Sequence, residues 1–190
     1  MSTLKLHLGC GKRYIPGFVH VDLADYPHIG FRQSVDNLSN FQDNAVDLIY
    51  ASHVLEYFDR IEVTKVLAEW RRVLKGGGIL RVAVPDFESL VEVYLKYGDL
   101  NSIHGPLYGR MEIVNEGQPR LIYHKTCYDF ASLSKVLTET GFSNIHRYDW
   151  RQTEHRDYDD YSQAYIPHMD KTKGKLISLN VEATKELPTV

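Results

Sequence analysis

Residues 4–11 and 18–22 constrain the fold more than any other part of the chain. Leu4, Leu6 and Leu8 alternate with Lys5 and His7, and the run stops at Gly9-Cys10-Gly11. That pattern describes a buried strand whose backbone turns sharply and lets another group come close. Phe18-Val19-His20-Val21 reads as a second strand, ending on Asp22. A carboxylate at a strand tip beside a glycine turn is placed to accept hydrogen bonds from a ribose diol. The stretch therefore predicts a nucleotide-like cofactor lying over strand ends.

The rest of the chain supplies the elements such a sheet needs. Residues 45–51 form a strand that leads into Ser52 and His53. A helix is expected over 59–75, with Asp59 and Glu62 spaced as a capping box and Val66, Leu67, Trp70, Val73 and Leu74 on one face. Gly76-Gly77-Gly78 is the expected stop, and residues 79–84 form the next strand, ended by Pro85. A second helix follows Asp86 and closes at Gly98; a third spans 129–140. Residues 145–150 and 176–183 are strands with no helical pattern between them, which predicts an antiparallel edge hairpin. The alternation predicts an α/β fold: a doubly wound, mostly parallel Rossmann-like sheet with helices on both faces. A length of 190 residues fits one domain, 1–190. Within it, 99–126 loses periodicity and reads as a substrate-side insertion, and 151–170 as a polar, aromatic loop or lid.

Composition narrows the partners. A formal net charge of -3 offers no basic face for nucleic acid. No apolar run is long enough to span a bilayer, so no membrane partner is expected. Met1 leads straight into the first strand, so no secretory leader is expected, and there are only two cysteines, Cys10 and Cys127. A reducing cytoplasm is the expected compartment, and no cysteine-rich metal site is expected.

Taken in order, Leu6-His-Leu-Gly-Cys-Gly11, Val21-Asp22, Val35-Asp36-Asn-Leu38, Val46-Asp-Leu-Ile-Tyr-Ala-Ser-His53-Val-Leu-Glu56 and Leu74-Lys-Gly-Gly-Gly-Ile-Leu80 resemble the class I S-adenosylmethionine-dependent methyltransferases, especially the small type 11-like members. The resemblance runs through residues 4–85 and resumes at 128–133 and 139–142. It implies S-adenosyl-L-methionine as cofactor, released as S-adenosyl-L-homocysteine. It also implies that Gly9 and Gly11 admit the methionine part, with Leu8 and Cys10 in the same turn. Asp22 would bind the ribose and Leu23 would flank the adenine. Asp36 would accept from the adenine amino group, supported by Asn37 and Leu38, and Ser52 and His53 would stand near the methyl group. A dehydrogenase fingerprint would need glycine where Tyr14 stands, and its acidic residue would come about 20 residues further on. An NAD-dependent oxidoreductase is thus the weaker alternative.

Two features depart from the family pattern. Residues 12–17 are too short for a parallel crossover of about a dozen residues, so the first helix is expected to be vestigial. No helical pattern precedes the first strand, so the cofactor must be covered by another segment, 151–170 first, or by a second subunit in a homodimer.

Methyl transfer mainly requires that two groups be positioned and one proton removed. His53 and His124 are the candidate catalytic bases if the acceptor is a hydroxyl. The competing readings are a helix-entry residue for His53 and a solvated loop residue for His124. Tyr57, His124 and Tyr158 are the candidate substrate-binding residues. Glu56 reads as a surface or helix-start residue. The expected acceptor is a small molecule or carbohydrate, methylated at oxygen. The alternative from another class is a cofactor-binding regulatory or partner subunit without transfer activity.

Overall fold

The computed structural model describes residues 3–115 and 118–187. The chain opens with β1 (Lys5–Leu8), β2 (Val19–Asp22), β3 (Phe31–Arg32) and β4 (Val46–Ser52). It continues through α1 (Glu62–Val73), β5 (Leu74–Pro85), α2 (Phe87–Tyr97) and α3 (Asn101–Tyr108). A hairpin of β6 (Arg110–Asn115) and β7 (Gln118–Tyr123) precedes α4 (Phe130–Glu139) and β8 (Phe142–Arg147). The short β9 (Tyr165–Ile166) and β10 (Lys175–Leu176) lead to β11 (Ser178–Lys185).

Seven strands form one sheet in the order β3-β2-β1-β4-β5-β11-β8. β1 to β5 run parallel, and β11 lies antiparallel between β5 and β8. The mostly parallel Rossmann-like sheet and its antiparallel C-terminal edge are those the sequence predicts. Among the described residues no helix is long and apolar enough to cross a membrane.

The capping box at Asp59 is present. Asp59 Oδ1 accepts from the Ile61 and Glu62 amides at 2.8 Å, and Glu62 Oε2 accepts from the Asp59 amide at 2.9 Å. Val63, Val66, Leu67, Trp70 and Val73 of α1 are buried against Ile49, Leu80, Val82 and Leu133. The helix stops at Val73, however, and Gly76-Gly77-Gly78 lie inside β5. Leu74 already pairs with Val46, so the chain joins the sheet before it reaches the glycines.

No helix joins β1 to β2, as the short link requires. Ile15 and Phe18 instead bury against Leu48 and Tyr50 on the second face of the sheet. Over β1, β4 and β5 that face is covered by turns and coil around 150–163. The covering is polar and buried: Tyr50 Oη donates to Asp160 Oδ2 at 2.5 Å, and the His155 ring stacks on Tyr50 at 4.1 Å. Arg81 bonds Glu154 at 2.9 Å and Glu182 at 2.6 Å. Burial alone would raise the Glu154 carboxyl; the Arg81 hydrogen bond and charge, a backbone hydrogen bond and Lys5 together outweigh it and hold the group down at about 2.

The insertion at 99–126 is not structureless. It forms α3 and the β6–β7 hairpin, whose two strands pair, among the described residues, only with each other. Scattered Gly and Pro hide these elements from sequence periodicity. Gly117 lies outside the described residues.

Candidate functional site

The C-terminal ends of β1, β2 and β4 meet at a narrow cleft of about 150 Å³. Gly9 closes β1 with φ +63° and donates its amide to Val21 O at 2.9 Å. A Cβ there would stand 2.5 Å from Val54 Cγ2, so the close approach of β1 to the turn after β4 requires glycine. Gly11, at φ +51°, donates its amide to Asp22 Oδ2 at 2.7 Å, and the Ala24 amide bonds Oδ1 at 2.8 Å. A carboxylate offers about four acceptor positions. Two serve the backbone here, and two are left for a diol. Leu23, Ser34, Val35, Val54 and Phe58 complete the cleft below, and Met111, Ile113 and Ile122 of the hairpin roof it. The donor set and the apolar walls fit a ribose and a flat base.

Beside this cleft lies a larger cavity of about 670 Å³, within the usual range for a small-molecule site. His53, Tyr57 and Met111 line both spaces. Tyr161, Tyr165, His168 and Arg110 supply further rings and polar groups to the larger cavity.

His53 sits one residue beyond β4 at φ +55°, a left-handed conformation that costs a non-glycine residue about 1–3 kcal/mol and gathers at functional sites. Its Nδ1 is 3.3 Å from Glu56 Oε1, and its Nε2 is 3.3 Å from Ser178 Oγ. Burial, with His124 nearby, pushes its pKa down to about 3. His124 follows β7. Its Nδ1 lies 3.0 Å from Pro106 O, a carbonyl in the last turn of α3 that has no helical partner. Its Nε2 faces Glu56 Oε1 at 3.8 Å, and burial lowers its pKa. Gly109 caps α3 at φ +40°, and a Cβ there would overlap the His124 ring.

Between the two histidines stands Glu56, fully buried. Neither carboxyl oxygen completes a hydrogen bond, and burial pushes its pKa up to about 8. Sequence reading passes over this residue, because Val54-Leu55-Glu56-Tyr57 looks like an exposed helix start. The segment that covers it, tied by the Lys125 amide to Glu56 O at 2.7 Å, is far away in the chain.

The other expected residues divide. Gly9, Asp22, Leu23 and His53 line the cleft together, and Tyr57 and His124 line the larger cavity. Asp36 and Asn37 are exposed beyond Val35 at the cleft wall. Leu38 is fully buried beneath α1, its amide bonded to Glu69 at 2.7 Å, so its side chain belongs to the core. Leu8 is likewise a core residue. Cys10 is buried, and that burial, with Asp22 beside it, raises its thiol to about 12, which keeps it un-ionised at neutral pH. Ser52 ends β4 with its hydroxyl buried and unpaired. Tyr158 lines neither space and is 37% exposed; Tyr161 and Tyr165 take the wall position. The roof of the cleft comes from the insertion, not from 151–170.

A family model described as a methyltransferase domain matches residues 6–82, from the glycine turn to β5. An uncharacterised protein of Methanocaldococcus jannaschii is 29% identical over 146 residues, which cover 77% of this chain and 57% of that protein. The chain thus spans a little over half the length of that relative. Among solved structures, a SAM-dependent methyltransferase of Methanosarcina mazei superposes with a TM-score of 0.58 at 17% identity, covering 98% of this chain and 94% of its own. Another from Archaeoglobus fulgidus gives 0.58 at 14% identity, with 96% and 86% covered. The Burkholderia thailandensis 1,6-didemethyltoxoflavin-N1-methyltransferase, solved with 1,6-didemethyltoxoflavin and S-adenosylhomocysteine, gives 0.55 at 15% identity, with 97% and 71% covered. At such identities the structures share a fold. With the glycine turn, the strand-end carboxylate and the sheet order all in place, the chain shares the fold of these S-adenosylmethionine-dependent methyltransferases, and its residues 6–82 match a methyltransferase domain.

Proposed function

We propose that this chain transfers a methyl group from S-adenosylmethionine to a hydroxyl of a small-molecule acceptor of the carbohydrate class. One observation carries the proposal: the narrow cleft and the 670 Å³ cavity meet at His53, Tyr57 and Met111. When bound, the cofactor supplies an electrophilic methyl group. Asp22 takes the ribose diol, Leu23 and Val35 flank the adenine, and Asp36 is available to its amino group. Gly9 and Gly11 let the backbone approach the methionine end. Tyr57, Tyr161 and Tyr165 offer ring faces to a sugar, and His53 or His124 removes the hydroxyl proton. A hydroxyl near its ordinary pKa needs such a base, worth about 10²–10⁴ in rate.

The test combines binding with turnover. S-adenosylhomocysteine at about 100 times its Kd should add about 2.7 kcal/mol of stability, or about 5–11 °C in Tm for a chain of this size. No shift with it, but a clear one with NADH, sinks the cofactor assignment. Transfer from labelled cofactor to a panel of sugars should survive in the wild type and be lost in H53A or H124A while the thermal shift remains. If neither substitution affects any associated activity, the chain is the binding-only subunit instead.

A further inference from the structure

The hydrogen bonds around Glu56 assign a proton to it. Asn180 Nδ2 donates to Ser162 O at 2.9 Å, which fixes the amide with Oδ1 as acceptor. The Ser178 hydroxyl donates to that Oδ1 at 3.0 Å. Its one hydrogen is then used, so Ser178 Oγ can only accept from His53, and His53 carries its hydrogen on Nε2. In the neutral imidazole its Nδ1 is then bare, and it lies 3.3 Å from Glu56 Oε1. On the other side Pro106 O can only accept, so His124 carries its hydrogen on Nδ1, and in the neutral ring its bare Nε2 lies 3.8 Å from Glu56 Oε1, beyond hydrogen-bond reach and beside Gly109 of the larger cavity. Two bare nitrogens beside one fully buried carboxyl favour the tautomer in which the carboxyl holds the proton, because the alternative imidazolium–carboxylate pair would bury two charges.

We propose that Glu56 is a buried neutral carboxylic acid whose single proton divides the labour of the two histidines, fixing His53 as a wall and leaving His124 Nε2 as the base. One proton cannot serve both lone pairs. It goes to His53 Nδ1, at 3.3 Å, rather than to His124 Nε2, at 3.8 Å. The groups nearest Glu56 agree with a neutral acid: beyond the two histidines they are the phenols of Tyr57 and Tyr128. The nearby Lys125 ammonium is turned away to Glu62 at 2.7 Å. Burial acts in the same direction, raising the Glu56 carboxyl to about 8.

This assignment rests on the proposed methyl transfer to a hydroxyl. In that step the acceptor O–H bond breaks and its proton passes to His124 Nε2. The oxygen electron pair forms the new bond to the methyl carbon, and the pair of the broken carbon–sulfur bond stays on sulfur. The positive charge lost from sulfur reappears on the His124 imidazolium, which returns its proton to water as the cavity empties. Glu56 touches neither substrate nor cofactor and is a positioning residue.

Imidazole ¹⁵N spectra of the ligand-free protein at pH 7 test the proton count without any acceptor. His53 should appear as the Nε2–H tautomer and His124 as Nδ1–H, and infrared spectra should hold a protonated-carboxyl band that E56Q removes. The Gln amide can donate to the same bare nitrogens, so E56Q should recover most of the roughly 100-fold kcat loss expected of E56A. Wild-type kcat should change near pH 8, and that of E56Q should not. An ionised Glu56 at pH 7, reversed tautomers, or E56Q as inactive as E56A would overturn the assignment. If the wild type methylates no hydroxyl, the tautomers and the infrared band still decide the state of Glu56, and only the role of His124 falls with the proposed function.

Discussion

Asp22→Asn tests the cofactor cleft with the smallest change of shape. Both carboxylate oxygens accept from backbone amides, Oδ2 from Gly11 at 2.7 Å and Oδ1 from Ala24 at 2.8 Å. An asparagine of the same size must turn its NH₂ toward one of those N–H groups, so one bond becomes donor against donor in either orientation. A hydrogen bond to a charged group is worth about 1.5–3 kcal/mol, and an unsatisfied buried donor costs about 1–3 kcal/mol. Asp22 is half-buried, which places the folding cost near the lower end, about 1–2 kcal/mol. For a domain of this length that is about 2–8 °C in Tm. The variant also loses an acceptor for the ribose diol, so S-adenosylhomocysteine should bind about 10–100-fold more weakly. Thermal melts with and without ligand, and calorimetric titration, measure the two effects separately. A Tm unchanged within a degree together with a Kd unchanged within twofold would show that Asp22 neither ties the glycine turn nor meets the cofactor.

Three further outcomes follow from the same geometry. Gly109→Ala must push the His124 ring aside from a backbone at φ +40°, so kcat should fall at least tenfold while S-adenosylhomocysteine affinity holds. Glu56 has a folded-state pKa raised to about 8 and His53 one lowered to about 3. Glu56 thus costs stability as pH rises from its ordinary value near 4.5 to about 8, and His53 costs stability as pH falls from near 6.5 to about 3. The two slopes cancel in the wild type between about 4.5 and 6.5, whereas E56Q keeps only that of His53, so the stability gap should move in favour of E56Q from pH 4.5 to 8, as read from urea melts. Arg81→Met leaves Glu154 and Glu182 without their shared cation; Glu154 is 39% exposed and rehydrates, so the loss should lie near 3 kcal/mol, the low end for a broken buried pair, as a drop in Tm.

The parts of this molecule that were readable in sequence are those whose partners are local or periodic. Leu4, Leu6 and Leu8 announce β1 because a strand buries every second residue, and Asp59 with Glu62 announces the start of α1 because a cap is a three-residue event. The glycine turn, Asp22 and the edge at Ser52 and His53 were legible because their order is fixed by one sheet. Glu56 was not, because its burial depends on residues around 124–126, which carry no periodic signal. The second face of the sheet was hidden for a related reason. Polar residues such as His155 and Asp160 look like a solvated loop until Tyr50 and Arg81 supply their partners. Leu38 was misplaced because an apolar residue beside Asp36 suits a base-stacking wall as well as it suits a core, and only α1 decides between them.

The β6–β7 hairpin carries a kinetic consequence. Among the described residues it pairs with nothing but itself, and Met111, Val114, Leu121 and Tyr123 remain 41–48% exposed. A two-stranded ribbon with so little buried surface is marginal alone and opens at a small fraction of the free energy that unfolds the sheet beneath it. Met111 of this ribbon stands in the wall of both spaces, so an opening of the ribbon would bare the narrow cleft and the larger cavity together. Under the proposed function, lifting of this ribbon would serve as one gate for both ligands.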